Sequence, residues 1–109
     1  MIVFAYGSLT DPERQRILTG REFAKVPAVL PGYRLDEEPG CYRMIYPDPA
    51  GEVRGFAIQD VDDAALRAFD EWEAEGTLYR RVGVEVVCNG ERLAAWAYEG
   101  MGRREKVAN

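Results

Sequence analysis

The apolar run Ile2-Val3-Phe4-Ala5 starts almost at the first residue and breaks at Tyr6-Gly7-Ser8-Leu9. A helix start follows at Asp11-Pro12. This pattern predicts a buried strand, a tight glycine-containing turn and a helix. Asp11 can accept from free N–H groups, Pro12 suits the first helical position, and Glu13 suits the positive end of the dipole. Ile17 and Leu18 give this short helix a small apolar side, and Gly20 reads as its stop.

From Lys25 to Leu35 the pattern turns to strand, interrupted by Pro27, Pro31 and Gly32. Such interruptions predict an edge, bent or bulged strand pair. Asp36 to Gly40 reads as a polar turn, Cys41 to Tyr46 as a short strand, and Pro47 to Gly51 as a loop. Glu52 to Gln59 is again a strand, and its Gly55 suits a close backbone approach. A helix begins around Asp60-Val61-Asp62-Asp63, with Asp60 or Asp62 as its cap. Ala65, Leu66, Phe69 and Trp72 recur at three- and four-residue spacing, and Gly76 reads as the stop. Asn89-Gly90 between two apolar runs predicts a two-residue hairpin turn. That turn pairs Val86 with Leu93, Val84 with Ala95 and Val82 with Ala97 on an apolar face. Arg81 then lies opposite Tyr98, and Gly83 opposite Trp96, whose ring can cover it.

The order of elements predicts an α+β fold with an antiparallel or mixed sheet, curled into a small barrel by the many Gly and Pro breaks. One domain over residues 1–100 is expected, followed by a polar C-terminal tail over 101–109 that holds the small basic pair Arg103-Arg104.

Composition narrows the chemistry. A net charge of −5 argues against nonspecific nucleic-acid binding. No apolar run is long enough to span a membrane, no targeting segment is visible, and a cytoplasmic location is expected. The sequence contains no histidine. That excludes Ser-His-Asp and Cys-His catalysis and any histidine base, so a base must be a carboxylate, Tyr, Lys or Cys. Cys41 and Cys88 are too few for a disulfide framework and too far apart for a zinc motif, and are expected to be reduced, buried or inert. No metal and no cofactor are expected.

Two stretches carry candidate chemistry. The turn at Tyr6-Gly7-Ser8-Leu9 offers backbone N–H groups at a strand end, which suits a small anionic ligand; its plain alternative is a simple strand-to-helix connection. Glu73 shares a helix face with Leu66 and Phe69, whereas Asp70, Glu71 and Glu75 point away as solvated residues. Partial burial and the negative end of the helix dipole both raise a carboxylate pKa there, as a general acid or base at neutral pH requires. The alternative is that Glu73 reaches water or pairs with Arg80 or Arg81.

Tyr6-Gly7-Ser8-Leu9, Gly32-Tyr33-Arg34-Leu35, Phe69-Asp70-Glu71-Trp72-Glu73, then Tyr79 and Arg81, then Ala95-Trp96-Ala97-Tyr98 occur in that order. This ordered set resembles the γ-glutamylcyclotransferase-like (AIG2-like) family over about residues 1–100. The resemblance implies a small mixed β-barrel flanked by helices and release of a γ-glutamyl group as 5-oxoproline. It implies that Tyr6, Gly7, Ser8 and Leu9 hold a small γ-glutamyl substrate, that Glu73 is the acid/base, and that Tyr79, Arg81 and Tyr98 belong to the pocket. Arg81 has a second reading, as a structural partner to a carboxylate. Ala74 departs from the family, which often has Gly directly after the glutamate.

Three rival readings remain. A non-catalytic module on the same fold would bind a small anion or metabolite without turnover. A metal site in the acidic run Asp60, Asp62, Asp63, Asp70 and Glu71 lacks the spacing of a calcium loop. Trp72 or Tyr42, if exposed, could serve assembly, and nothing in the sequence fixes the oligomeric state.

Overall fold

A computed structural model of the chain describes residues 1–102. Of the tail expected over 101–109, residues 103–109 with the basic pair lie outside the described residues. Five strands close into a barrel in the order β1-β3-β2-β4-β5. They are β1 (Val3–Ala5), β2 (Lys25–Asp36), β3 (Met44–Ile58), β4 (Tyr79–Cys88) and β5 (Glu91–Gly100). Two helices, α1 (Pro12–Thr19) and α2 (Asp63–Trp72), flank it, and a 3-10 turn (Ser8–Thr10) joins β1 to α1. The sheet is mixed because the short β1 runs antiparallel to β3 but parallel to β5.

Period-two alternation along the strands separates two apolar layers. One layer fills the barrel: Phe4, Ala28, Leu30, Ile45, Val53, Ala57, Val86, Ala95 and Ala97, with Cys88 among them. The other lies between barrel and helices: Val3, Ala5, Leu9, Phe23, Met44, Ile58, Val61, Ala65, Leu66, Phe69, Tyr79 and Tyr98. Thus Phe4 points inward while Val3 and Ala5 point to the helices, and β1 belongs to both layers.

The β4–β5 hairpin has the predicted register, with Arg81 opposite Tyr98 and Gly83 opposite Trp96. Asn89 and Gly90 have φ of 50° and 81°, the left-handed pair that this turn requires. Trp96 lies over Gly83, and its ring also carries the Arg81 guanidinium at 4.3 Å.

Three local expectations need correction. Pro47–Gly51 is not a loop between two strands, because β3 runs through it. Pairing with β2 jumps from Pro31–Glu52 to Tyr33–Pro47, so residues 48–51 bulge against Gly32. The Ala50 N–H donates to the Asp48 carboxylate inside this bulge, which takes up Pro49 without a ladder bond to lose. The continuous strand begins only at Met44; Cys41 makes an isolated bridge, and Tyr42 and Arg43 are irregular. In α1, Ile17 is 65% exposed, while Leu18 packs on the core and Gln15 is 1% exposed. The Gln15 amide donates to the Leu9 carbonyl at 2.8 Å and accepts from the Phe23 N–H at 3.0 Å. A glutamine with both ends satisfied replaces an apolar contact and ties down the segment that follows the turn.

Candidate active site

The 3-10 turn is held from its own side chains. The Thr10 N–H and hydroxyl both donate to the Gly7 carbonyl, at 3.0 and 2.7 Å. Asp11 caps α1 by accepting from the Glu13 N–H at 3.0 Å. The Ser8 and Leu9 N–H groups open a helical turn, so they have no acceptor within it.

Helix α2 sets the second wall. Asp62, not Asp60, is its cap, accepting from the Ala65 N–H at 2.8 Å. At the other end Glu73 is the C-cap. Ala74 N–H donates to the Glu71 carbonyl and Glu75 N–H to the Asp70 carbonyl, a Schellman closure whose left-handed residue is Ala74, at φ 51°. The helix therefore stops at Ala74 rather than at Gly76. A non-glycine residue in this conformation is strained by about 1–2 kcal/mol. Glycine relieves that strain but gives the unfolded chain more freedom, worth about 0.4–1 kcal/mol. Ala74→Gly is accordingly expected to stabilise the fold by about 0.5–1 kcal/mol, read as a higher urea midpoint at unchanged slope.

Asp70 is not the solvated residue that helix periodicity implied. It is about three-quarters buried, accepting from Arg81 Nε at 2.8 Å and from the Tyr98 hydroxyl at 2.7 Å. These bonds lock α2 to the β4–β5 hairpin one turn before Glu73. Arg81 is thus the partner of a carboxylate and lies outside the pocket described next.

A cavity of about 510 Å³ opens between the turn and the helix end. Its wall includes Tyr6, Gly7, Ser8, Leu9, Glu73, Tyr79 and Tyr98 together. The wall also contains residues that the sequence did not single out for a pocket: Phe4, Ala5, Cys41, Tyr42, Arg43, Trp72, Ala74 and Leu78. Cys41–Arg43 were hidden because their apolar pattern suggested a strand, although Gly40, at φ 80°, already marks a turn there. Trp72 could have been found from its place directly before the glutamate.

Glu73 is the acidic residue of this wall and Arg43 the basic one. Arg43 is engaged, donating to the Tyr6 carbonyl at 3.3 Å and pairing with Glu37 at 3.0 Å. Arg80 pairs with Glu99, and Arg81 with Asp70. Glu73 therefore has no ion-pair partner among the described residues, and burial alone pushes its carboxyl up to about 7. The three pocket tyrosines remain neutral donors, since burial pushes each phenol upward. Their hydroxyls are committed to the protein: Tyr6 donates to the Tyr98 carbonyl, Tyr79 to the Arg43 carbonyl, and Tyr98 to Asp70. They shape the cavity through their rings. Among these groups, burial moves the Glu73 carboxyl toward neutral pH.

The turn and the glutamate are joined directly. Trp72, next to Glu73, donates its indole N–H to Ser8 Oγ at 2.9 Å. Among the described residues, no cluster of three or more His, Cys, Asp or Glu side chains has metal-site geometry, and no helix is long and apolar enough to cross a membrane.

Residues 3–108 match the family model described as gamma-glutamyl cyclotransferase, AIG2-like. The chain belongs to this family. Protein AIG2 C of Arabidopsis thaliana is 39% identical over 99 residues, which are 88% of this chain and 59% of that protein. AIG2-like protein B of the same plant is 32% identical over 106 residues, 94% of this chain and 60% of that protein. This AIG2-like chain therefore spans about three-fifths of the length of these relatives. A solution structure of an Arabidopsis thaliana protein superposes with a TM-score of 0.83 at 33% identity, covering 93% of this chain and 68% of that one. A solved gamma-glutamyl cyclotransferase shares the fold, with a TM-score of 0.75 at 21% identity over 97% of this chain and 69% of that one.

Proposed function

We propose that this AIG2-like chain is a cyclotransferase that converts a γ-glutamyl amine or amino acid to 5-oxoproline and the free amine. One observation carries the reading: a half-buried carboxylate without an ion-pair partner among the described residues shares a pocket with the Gly7–Leu9 turn, and burial pushes it up to about 7. Family membership supports the same reaction class.

The substrate's α-amino nitrogen attacks its own γ-carbonyl carbon. The new bond closes a five-membered ring, and the bond from that carbon to the departing nitrogen breaks. Because the nucleophile is intramolecular, it has a large effective concentration, and the protein need not supply one. This suits a chain without histidine. On the way to the lactam N–H the α-ammonium loses two protons, and the departing nitrogen gains two and leaves as an ammonium; Glu73 relays them in turn, so no net proton is exchanged. Backbone N–H groups of the turn hold the α-carboxylate or the developing oxyanion. Ser8 is a binding residue in this scheme, and Asp70 keeps the helix end in place through Arg81 and Tyr98.

The pH dependence tests this. The base must be ionised, so kcat/KM for 5-oxoproline release is expected to rise with pH through a midpoint near 7, the value of Glu73. A midpoint in the ordinary carboxylate range, or a flat profile between pH 5.5 and 8.5, would contradict it.

A further inference from the structure

Trp72 is an unusual residue to leave at a pocket mouth. It is 42% exposed and belongs to neither apolar layer. Yet it is fixed on two sides. Its indole N–H reaches Ser8 Oγ at 2.9 Å, and the Arg14 guanidinium stacks on its ring at 4.2 Å. The bond joins residues that are 64 positions apart, between the end of α2 and the turn after β1.

The chemistry of the two groups gives this bond a direction. An indole N–H donates and has no lone pair to accept with, whereas a hydroxyl has one donor hydrogen and two lone pairs. One Ser8 lone pair is taken by the indole. The hydroxyl hydrogen cannot be used in that contact and must find an acceptor elsewhere. Ser8 itself lines the cavity, as do the N–H-bearing residues Gly7 and Leu9 on either side. A hydroxyl held in this way adds a donor to those backbone groups and suits a carboxylate or oxyanion. The same geometry makes it a poor nucleophile, since no base is bonded to it.

We infer that Trp72 is a positioning residue: its indole N–H orients the Ser8 hydroxyl as a hydrogen-bond donor to an anionic group in the cavity. The proposal deepens the cyclotransferase reading but concerns recognition, so it can be tested without turnover. Trp72 couples two jobs at one point, because the residue that orients Ser8 is the neighbour of Glu73. A shift of the helix end would move the acid/base and the donor together.

The test is a double-variant cycle on binding of 5-oxoproline, measured by titration calorimetry on the full chain. Trp72→Phe keeps a ring beneath Arg14 but removes the donor. Ser8→Ala removes the hydroxyl. Each is expected to weaken binding about five- to tenfold, the worth of one such hydrogen bond. The double variant is expected to bind no more weakly than Ser8→Ala alone, since Trp72 acts only through that hydroxyl. Losses that multiply in the double variant would overturn the proposal, as would an unaltered affinity in Trp72→Phe or a wild-type chain that does not bind 5-oxoproline. Thermal melting of each variant separates a lost donor from a loosened helix end. A non-additive cycle in a chain that turns over no γ-glutamyl substrate would sink the cyclotransferase reading and leave this one standing. Turnover with an additive cycle would do the reverse.

Discussion

Glu73→Gln is expected to lower kcat/KM for 5-oxoproline release by about 10²–10⁴-fold, the usual contribution of a positioned general acid or base. Glutamine keeps the shape and polarity of the side chain but cannot move a proton. The variant carries its own control for folding. The Glu73 carboxyl is raised from 4.5 to about 7 in the folded chain, so folding favours its protonated form. Stability from this group is therefore fully present below about pH 4.5 and is lost as pH rises through 7. Glutamine never ionises and escapes that loss. The variant should match wild type in stability at pH 4 and exceed it at pH 8 by on the order of 3 kcal/mol, read as a higher melting temperature. An inactive protein that is more stable at pH 8 cannot be explained by misfolding. Full activity, or a lower melting temperature at pH 8, would remove Glu73 from its assigned place.

Gly55→Ala is expected to be the most damaging single-methyl change in the barrel. A Cβ at Gly55 would lie 2.4 Å from the Ala5 carbonyl oxygen and 2.8 Å from the Phe4 ring. The oxygen is backbone, so relief requires moving β1 itself. Overpacking of this kind costs about 1–3 kcal/mol and more where backbone must shift. At the upper end, a domain of this size loses roughly 12–24 °C in melting temperature. Because β1 leads directly into the Gly7–Leu9 turn, the surviving folded fraction should also bind 5-oxoproline more weakly. Thermal melting with parallel calorimetry checks both. A melting temperature within a few degrees of wild type would show that β1 is free to move.

The parts of this fold that could be read from the sequence are those set by local chemistry. Asn89-Gly90 dictates a turn geometry, and with it the whole register of β4 and β5. Asp11-Pro12 and the apolar spacing in α2 work the same way, and the spacing also marks Glu73 as a carboxylate on an apolar face. The illegible parts depend on partners distant in sequence. Pro47 to Gly51 carries every local sign of a loop, and only pairing with β2 makes it strand. Ile17 and Gln15 exchange their expected places because the acceptors and donors for Gln15 come from Leu9 and Phe23. Asp70 looks solvated on its helix until Arg81 and Tyr98 arrive from the hairpin. The same holds at the pocket, where Cys41–Arg43 join the wall only once the β2–β3 hairpin has folded. Ala74 is a different case. Its left-handed conformation explains why a glycine is at home at that position, and the strain of keeping alanine there is a local cost that the surrounding Schellman closure sustains.

The reaction itself is tested most directly by product analysis. The purified chain would be incubated with a panel of γ-glutamyl amides and γ-glutamyl amino acids, and both products quantified by mass spectrometry. Cyclisation predicts 5-oxoproline and free amine in a one-to-one ratio, with no glutamate formed, and loss of both in Glu73→Gln. Release of glutamate would mean that water, not the α-amine, attacks the γ-carbonyl. Binding without either product across the panel would leave a metabolite-binding module and contradict the cyclotransferase reading.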